Sequence, residues 1–130
     1  MSPLLLDTHV LLWWVSESDR ISSTAASLID AADELAVASL TWFELAWLAR
    51  RQRIVVATPV RAWLSALAAQ VRTLGTTPEI ADTAASLVAP FPSDPADRVI
   101  YATAVEHGLQ LVTKDRRLLD YPYPRQVAVW

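Results

Sequence analysis

The chain contains no cysteine, only two glycines and only two histidines among its 130 residues. Without thiols there is no disulfide framework and no thiolate metal site, which suits a reducing compartment. So little glycine leaves no room for a Gly/Ser linker, and no low-complexity tract or internal repeat is visible. Long apolar runs are missing too. Each is broken by charge well short of the roughly 18 residues that a spanning helix needs, and no basic segment followed by an apolar one marks the N-terminus for export. A cytoplasmic protein with no membrane attachment is expected.

What is present is core material. Hydrophobic residues make up 53% of the chain against 19% charged, the balance of a globular protein and not of a disordered one. The length suits a single domain spanning residues 1–130. Fourteen acids against eleven lysines and arginines give a net charge of −3, which argues against general nucleic-acid binding driven by counterion release. The basic residues nevertheless gather locally, as Arg50-Arg51-Arg53 and Lys114-Arg116-Arg117. Taken alone, each group reads as a solvated helix end.

Along the chain, short apolar runs alternate with helical periodicity. Residues 3–6 read as a strand buried on both faces, followed by a short helix over 10–15. Ser22 or Ser23 caps a helix carrying Ala25, Leu28, Ile29 and Ala32, and residues 35–38 form the next strand. Ser39 or Thr41 caps a helix with Phe43, Trp47 and Leu48 on one stripe. Pro59 opens another through Trp63, Leu64, Leu67 and Val71. A brief strand at 71–74, a helix from Thr77-Pro78-Glu79 to Val88, a loop over 89–95, a helix over 97–107 ended by Gly108, and a strand at 109–113 complete the pattern. Such alternation predicts an α/β fold with a central, mostly parallel sheet flanked by helices.

In such open sheets the ligand crevice lies beyond the carboxyl ends of the strands. Asp7 ends the first strand, Glu44 falls early in the helix after the second, Asp97 opens a helix after the proline loop, and Asp115 follows the last strand by two residues. Individually each has an ordinary explanation: Asp7 and Asp97 as helix caps, Asp115 as a turn residue, Glu44 as one half of a salt bridge. Four acids at one crevice are harder to explain that way. Unneutralised they would repel, and a hard divalent cation with oxygen ligands, Mg²⁺ or Mn²⁺, resolves the conflict. His9 and His107 lack a mutual ligand spacing, so His9 is expected to hydrogen-bond near the site and His107 to sit as a cation at a helix end.

The segments LLLDTHVLLWW (4–14), SLTWFELAWL (39–48), DPADRVIYATAVEHGLQLVTKD (94–115) and the terminal YPYPRQVAVW, in that order, resemble the PIN-domain ribonucleases, in particular the VapC-type toxins of toxin–antitoxin pairs. The resemblance spans essentially the whole chain. It implies a three-layer α/β/α PIN-like fold and matches Asp7, Glu44, Asp97 and Asp115 to the family's acidic, metal-binding cluster, with Thr113 as the small hydroxyl residue before the last acid. Asp94 competes with Asp97; the apolar run from Ile100 to Ala104, starting three residues after Asp97, favours Asp97. Tyr101 stands where the family's helix usually has a small residue.

The implied activity is Mg²⁺-dependent endoribonuclease cleavage of a structured RNA, tRNA or rRNA, that inhibits translation. Asp7 and Asp97 are the expected direct ligands, with Glu44 and Asp115 acting through water, as base, or at a second ion. The resemblance also implies a homodimer and a cognate VapB-type antitoxin. A phosphoacceptor receiver module is the main alternative, with Thr113 and Lys114 near a strand end, but it needs an acidic pair after the first strand where this chain has Asp7-Thr8. A haloacid-type phosphatase would need an aspartate at the place of His9. A metal-free binding domain leaves the acids unexplained. Of the six tryptophans, Trp47 is expected in the core, and Trp13 and Trp14 cannot both face one way, so one of them meets a neighbouring helix or another chain.

Overall fold

Five short strands, Leu4–Leu6 (β1), Leu35–Ala38 (β2), Arg72–Leu74 (β3), Gln110–Val112 (β4) and Ala128–Val129 (β5), lie side by side in the order β3-β2-β1-β4-β5. Every neighbouring pair is parallel. The computed structural model describes residues 3–130. Between the strands run helices Thr8–Ser16 (α1), Ser23–Ala31 (α2), Leu40–Arg50 (α3), Val60–Ala68 (α4), Pro78–Ser86 (α5), Pro95–His107 (α6) and Arg116–Leu119 (α7).

Strand periodicity divides the core between the two sheet faces. Leu4, Leu6, Val37 and Val112 pack with Val10, Leu11, Ala25, Ile29, Leu45 and Leu67 from α1 to α4. Leu5, Ala36, Ala38 and Leu111 point the other way, into a cluster with Ile100, Tyr101, Ala104 and Leu118. Burial on both faces explains why β1 is three consecutive leucines and not an alternating strand. The predicted three-layer α/β/α arrangement is the one observed.

Two elements were not read in the sequence, α7 and β5. The terminal segment is held by an aromatic cluster: Tyr101 lies 4.9 Å from Phe91, 5.8 Å from Tyr121 and 6.1 Å from Tyr123, all edge-on. Arg125 Nη2 also donates to the carbonyls of Ala104 and Leu109. This is what Tyr101 does in place of a small residue: it is buried, and burial pushes its phenol up to about 12.

Two helix starts differ from expectation. Ser39 occupies the N-cap position of α3, but its side chain makes no capping bond; its N–H donates to Leu74 O at 2.8 Å, and Thr41 is fully buried inside the helix. The helix after the proline loop begins at Pro95, because Asp94 is its cap, accepting from the N–H groups of Ala96 and Asp97. Arg98 then ties α6 to the end of α5 by donating to Ala84 O and Leu87 O at 3.1 and 2.7 Å. Asp97 is therefore presented from a helix start anchored on both sides.

Candidate active site

At the carboxyl edge of the sheet a cavity of about 230 Å³ is lined by Asp7, Thr8, His9, Leu12, Glu44, Leu48, Asp97 and Asp115. The four acids singled out from the sequence thus share one wall, delivered by the end of β1, the second turn of α3, the first turn of α6 and the turn after β4. Asp94, the competing residue, is exposed and spent on the helix cap.

Asp7 is 5% exposed and fully engaged. Its Oδ1 accepts from the Thr8 N–H at 2.8 Å, and its Oδ2 accepts from Thr113 Oγ1 at 2.7 Å. Thr113 in turn accepts the Asp115 N–H at 3.1 Å, so one buried hydroxyl links the first acid to the last. Asp115 accepts from the Arg117 N–H at 2.9 Å. Asp7 and Asp115 are helix caps as well as cavity walls, so the ordinary explanation and the functional one hold together for both.

Glu44 makes no salt bridge among the described residues; Thr8 Oγ1 donates to its Oε1, and Thr8 and Thr41 hydroxyls lie 3.0 Å apart. With Thr8 donating to Glu44, Thr41 donates to Thr8, giving a relay of hydroxyls that aims the carboxylate. Burial raises the Glu44 pKa, and the charge of Asp7 adds to the effect. Asp97 is raised to about 7, first by burial and then by the charges of Asp94, Asp7 and Asp115. Asp115 is lowered, chiefly by its hydrogen bond from Arg117. His9 accepts the Lys114 N–H at Nε2, 3.0 Å away, and burial lowers its pKa, so it is neutral at pH 7 with its proton on Nδ1.

Arg117 is solvated at a helix end, as read in the sequence, but it also reaches over the cavity. Its Nη2 sits 2.7 Å from Asp115 Oδ2 and 3.2 Å from Asp97 Oδ2, bridging the two carboxylates. Thr8, Thr41 and Arg117 are the site residues that sequence reasoning missed. Thr41 and Glu44, three apart and so on one helix face, were the available signal.

Among the described residues no three His, Asp or Glu groups form a ready-made metal cage. The donors present still suit a hard divalent ion: apart from the His9 ring, whose Nε2 is taken by the Lys114 N–H, they are carboxylate or hydroxyl oxygens, burial and then the neighbouring acids hold Asp97 well above the ordinary carboxylate range, and the Arg117 guanidinium lies between Asp97 and Asp115. Mg²⁺ keeps several waters and needs only one or two carboxylates, so a closed cage is not required.

Beside the acids runs a largely apolar groove of about 450 Å³, lined by Leu40, Phe43, Trp47, Asp94, Pro95 and Ala96 and sharing Thr8, Glu44 and Leu48 with the cavity wall. Phe43 is 60% and Trp47 47% exposed, and the Arg51 guanidinium lies 3.2 Å from the Trp47 ring centroid. The expectation that Trp47 belongs to the core is therefore wrong: the core face of α3 is given by Thr41 and Leu45.

The PIN domain family model matches residues 4–122, and the chain belongs to that family. Within it the likeness is to VapC-type proteins: over 130 residues, all of both chains, 58% of positions are identical to Ribonuclease VapC22 of Mycobacterium tuberculosis. Solved structures of the same fold include a toxin-antitoxin complex from Klebsiella pneumoniae (TM-score 0.70, 22% identity, 98% of this chain and 96% of that one). DNA-bound VapBC from Salmonella typhimurium gives a TM-score of 0.69 at 18% identity, over 94% of each chain.

Proposed function

We propose that this protein is a divalent-metal-dependent endoribonuclease, the toxin half of a VapBC-type pair, using Mg²⁺ and restrained by a VapB-type antitoxin. The observation that carries the reading is the single cavity walled by Asp7, Glu44, Asp97 and Asp115, in a chain 58% identical to a ribonuclease. A receiver module has no counterpart in these matches. A structured RNA, tRNA or rRNA, as substrate, a homodimer, a cytoplasmic setting and one domain over residues 1–130 belong to the same proposal. No helix of the described residues is long and apolar enough to cross a membrane.

Asp7 and Asp97 would hold the ion directly, with Asp115 and Glu44 completing the site. When bound, such an ion offsets charge developing on phosphate oxygens and makes a nearby water acidic. Glu44, with its raised pKa and its carboxylate aimed by Thr8, would serve as the proton acceptor for the attacking water. Thr113 holds the Asp7 carboxylate in place by donating to it. Arg117, once displaced from Asp97, brings its charge to the mouth of the cavity, where a phosphate enters. The groove along Phe43 and Trp47 offers an antitoxin segment an apolar seat beside the acids.

Incubation with total RNA and Mg²⁺ tests the reading. Discrete internal cuts, abolished by EDTA and absent for Asp7→Asn, are the expected result. No cleavage in any divalent metal would reject it.

A further inference from the structure

A second part of the cavity rim is carried by His9 and the turn after β4. Here Trp13, half-buried on α1, lies 4.9 Å from the His9 ring and 6.0 Å from Trp130. Two cations from distant parts of the chain rest on it: the Arg20 guanidinium carbon is 4.2 Å from the ring centroid, and Lys114 Nζ is 5.6 Å from it. Lys114 is the only lysine among the eleven basic residues. Its backbone is pinned to the cavity wall through His9, yet among the described residues its ammonium has no carboxylate within ion-pair distance. It leans on an aromatic face although Asp7 and Asp115 line the cavity next to it.

That choice of partner matters physically. A carboxylate would neutralise the ammonium, whereas a cation–π contact at an exposed site holds it weakly and leaves its charge available. Arg20 is shared with Glu17 at 3.2 Å, both side chains about half exposed, so its pairing is weak and water-screened. The chain as a whole repels a polyanion, and the acid cavity does so most. Affinity for RNA therefore has to come from cations fixed next to the acids. Because these cations and the His9 and Trp130 rings already pack on Trp13, the patch suits a phosphate better than a stacked base.

We propose that Lys114 and Arg20, braced on Trp13, clamp an RNA phosphate adjoining the scissile one. This rests on the ribonuclease reading above. A phosphate clamp carries no base preference and sets how tightly and in which register the strand crosses the acids.

The test is a titration of the full chain, in EDTA so that nothing is cut, with a short fluorescein-labelled single-stranded RNA read by anisotropy over a salt series. Lys114→Met and Arg20→Met are each expected to weaken binding about fivefold and to lower the slope of log K against log salt by roughly 0.7, the value for one phosphate contact on a single strand. Lys114→Arg should keep the wild-type slope, and Arg61→Met, remote on α4, should change neither quantity. Trp13→Phe keeps a ring for the cations and should bind like wild type; Trp13→Leu should resemble Lys114→Met, with circular dichroism reporting that it is folded. Unchanged affinity and slope for Lys114→Met and Arg20→Met, or no measurable binding by wild type at low salt, would overturn the clamp. Cleavage of total RNA by wild type in Mg²⁺ is scored separately. If it cuts while the variants bind normally, only the clamp fails; if it cuts nothing, the ribonuclease reading fails and the clamp beside a scissile phosphate falls with it, even where the binding series still shows Lys114 and Arg20 holding a phosphate.

Discussion

The two ends of the sheet carry cavities of similar size and opposite character. At the amino edge about 270 Å³ is enclosed by Pro3, Glu34, Arg72, His107 and Gly108 among others, and its charges form an exposed pair, Arg72 with Glu34 at 3.4 Å. At the carboxyl edge about 230 Å³ is walled by four acids, one of them buried and two with raised pKa. Size does not distinguish a site from a crevice here. What does is charge of one sign in excess, four acids against the single Arg117, kept in place by buried hydroxyls.

The largest expected effect breaks that contrast outright. Asp7→Asn should lower RNA cleavage at least about a hundredfold, while Glu34→Gln at the amino edge leaves it unchanged, in a gel assay at equal protein. Next, Thr113→Val leaves Asp7 Oδ2 and the Asp115 N–H without their buried partner. It should cost about 1–3 kcal/mol in urea denaturation, against under about 1 kcal/mol for Arg72→Met, whose ion pair is exposed. A Thr113→Val protein as stable as wild type would show that the hydroxyl does not hold the site together.

Arg117 sharpens the comparison, because it is the cation that the carboxyl edge supplies for itself. Arg117→Met should bind Mn²⁺ more tightly than wild type, by about three- to tenfold in a calorimetric titration, since a divalent ion no longer competes with a guanidinium for Asp97 and Asp115. Equal or weaker binding would mean that Arg117 helps to build the metal site.

The smallest effect is in pH dependence of the metal-free protein. Asp97 titrates at about 7 when folded and near about 4 when unfolded, so between those values the native state holds the extra proton. Its contribution to stability is present below the unfolded pKa and is lost as pH rises through about 7. Asp115, lowered by Arg117, has the opposite sign: its contribution is present above its unfolded pKa and fades as acid protonates it. Urea midpoints from about pH 4 to about pH 7 should fall for wild type and stay flatter for Asp97→Asn; identical slopes would contradict the burial and crowding of Asp97.

Much of this was legible in the chain because β1, β2 and β4 are buried on both faces and read as apolar runs, each followed by a polar break where a cavity acid or its helix begins. Asp7, Glu44 and Asp115 could be placed at one edge from strand direction, and Asp97, which opens a helix after the proline loop, was chosen over Asp94 by the family resemblance. The short α7 and β5 could not, since four and two residues give no usable period and both depend on the tyrosine cluster and Arg125 for their position. Trp47 was misassigned because an amphipathic stripe tells which residues share a helix face, not which face meets the sheet. Thr41 looked like a cap and became part of the relay to Glu44 because α3 begins with an uncapped turn tied to β3 instead.

The central claim, that the carboxyl-edge acids form a divalent-metal site, is tested most directly by anomalous scattering from a crystal soaked in Mn²⁺. The expected result is a peak inside the cavity walled by Asp7, Glu44, Asp97 and Asp115, with the Arg117 guanidinium withdrawn from Asp97. A crystal with Mn²⁺ only elsewhere on the surface, and Arg117 still bridging Asp97 and Asp115, would contradict it.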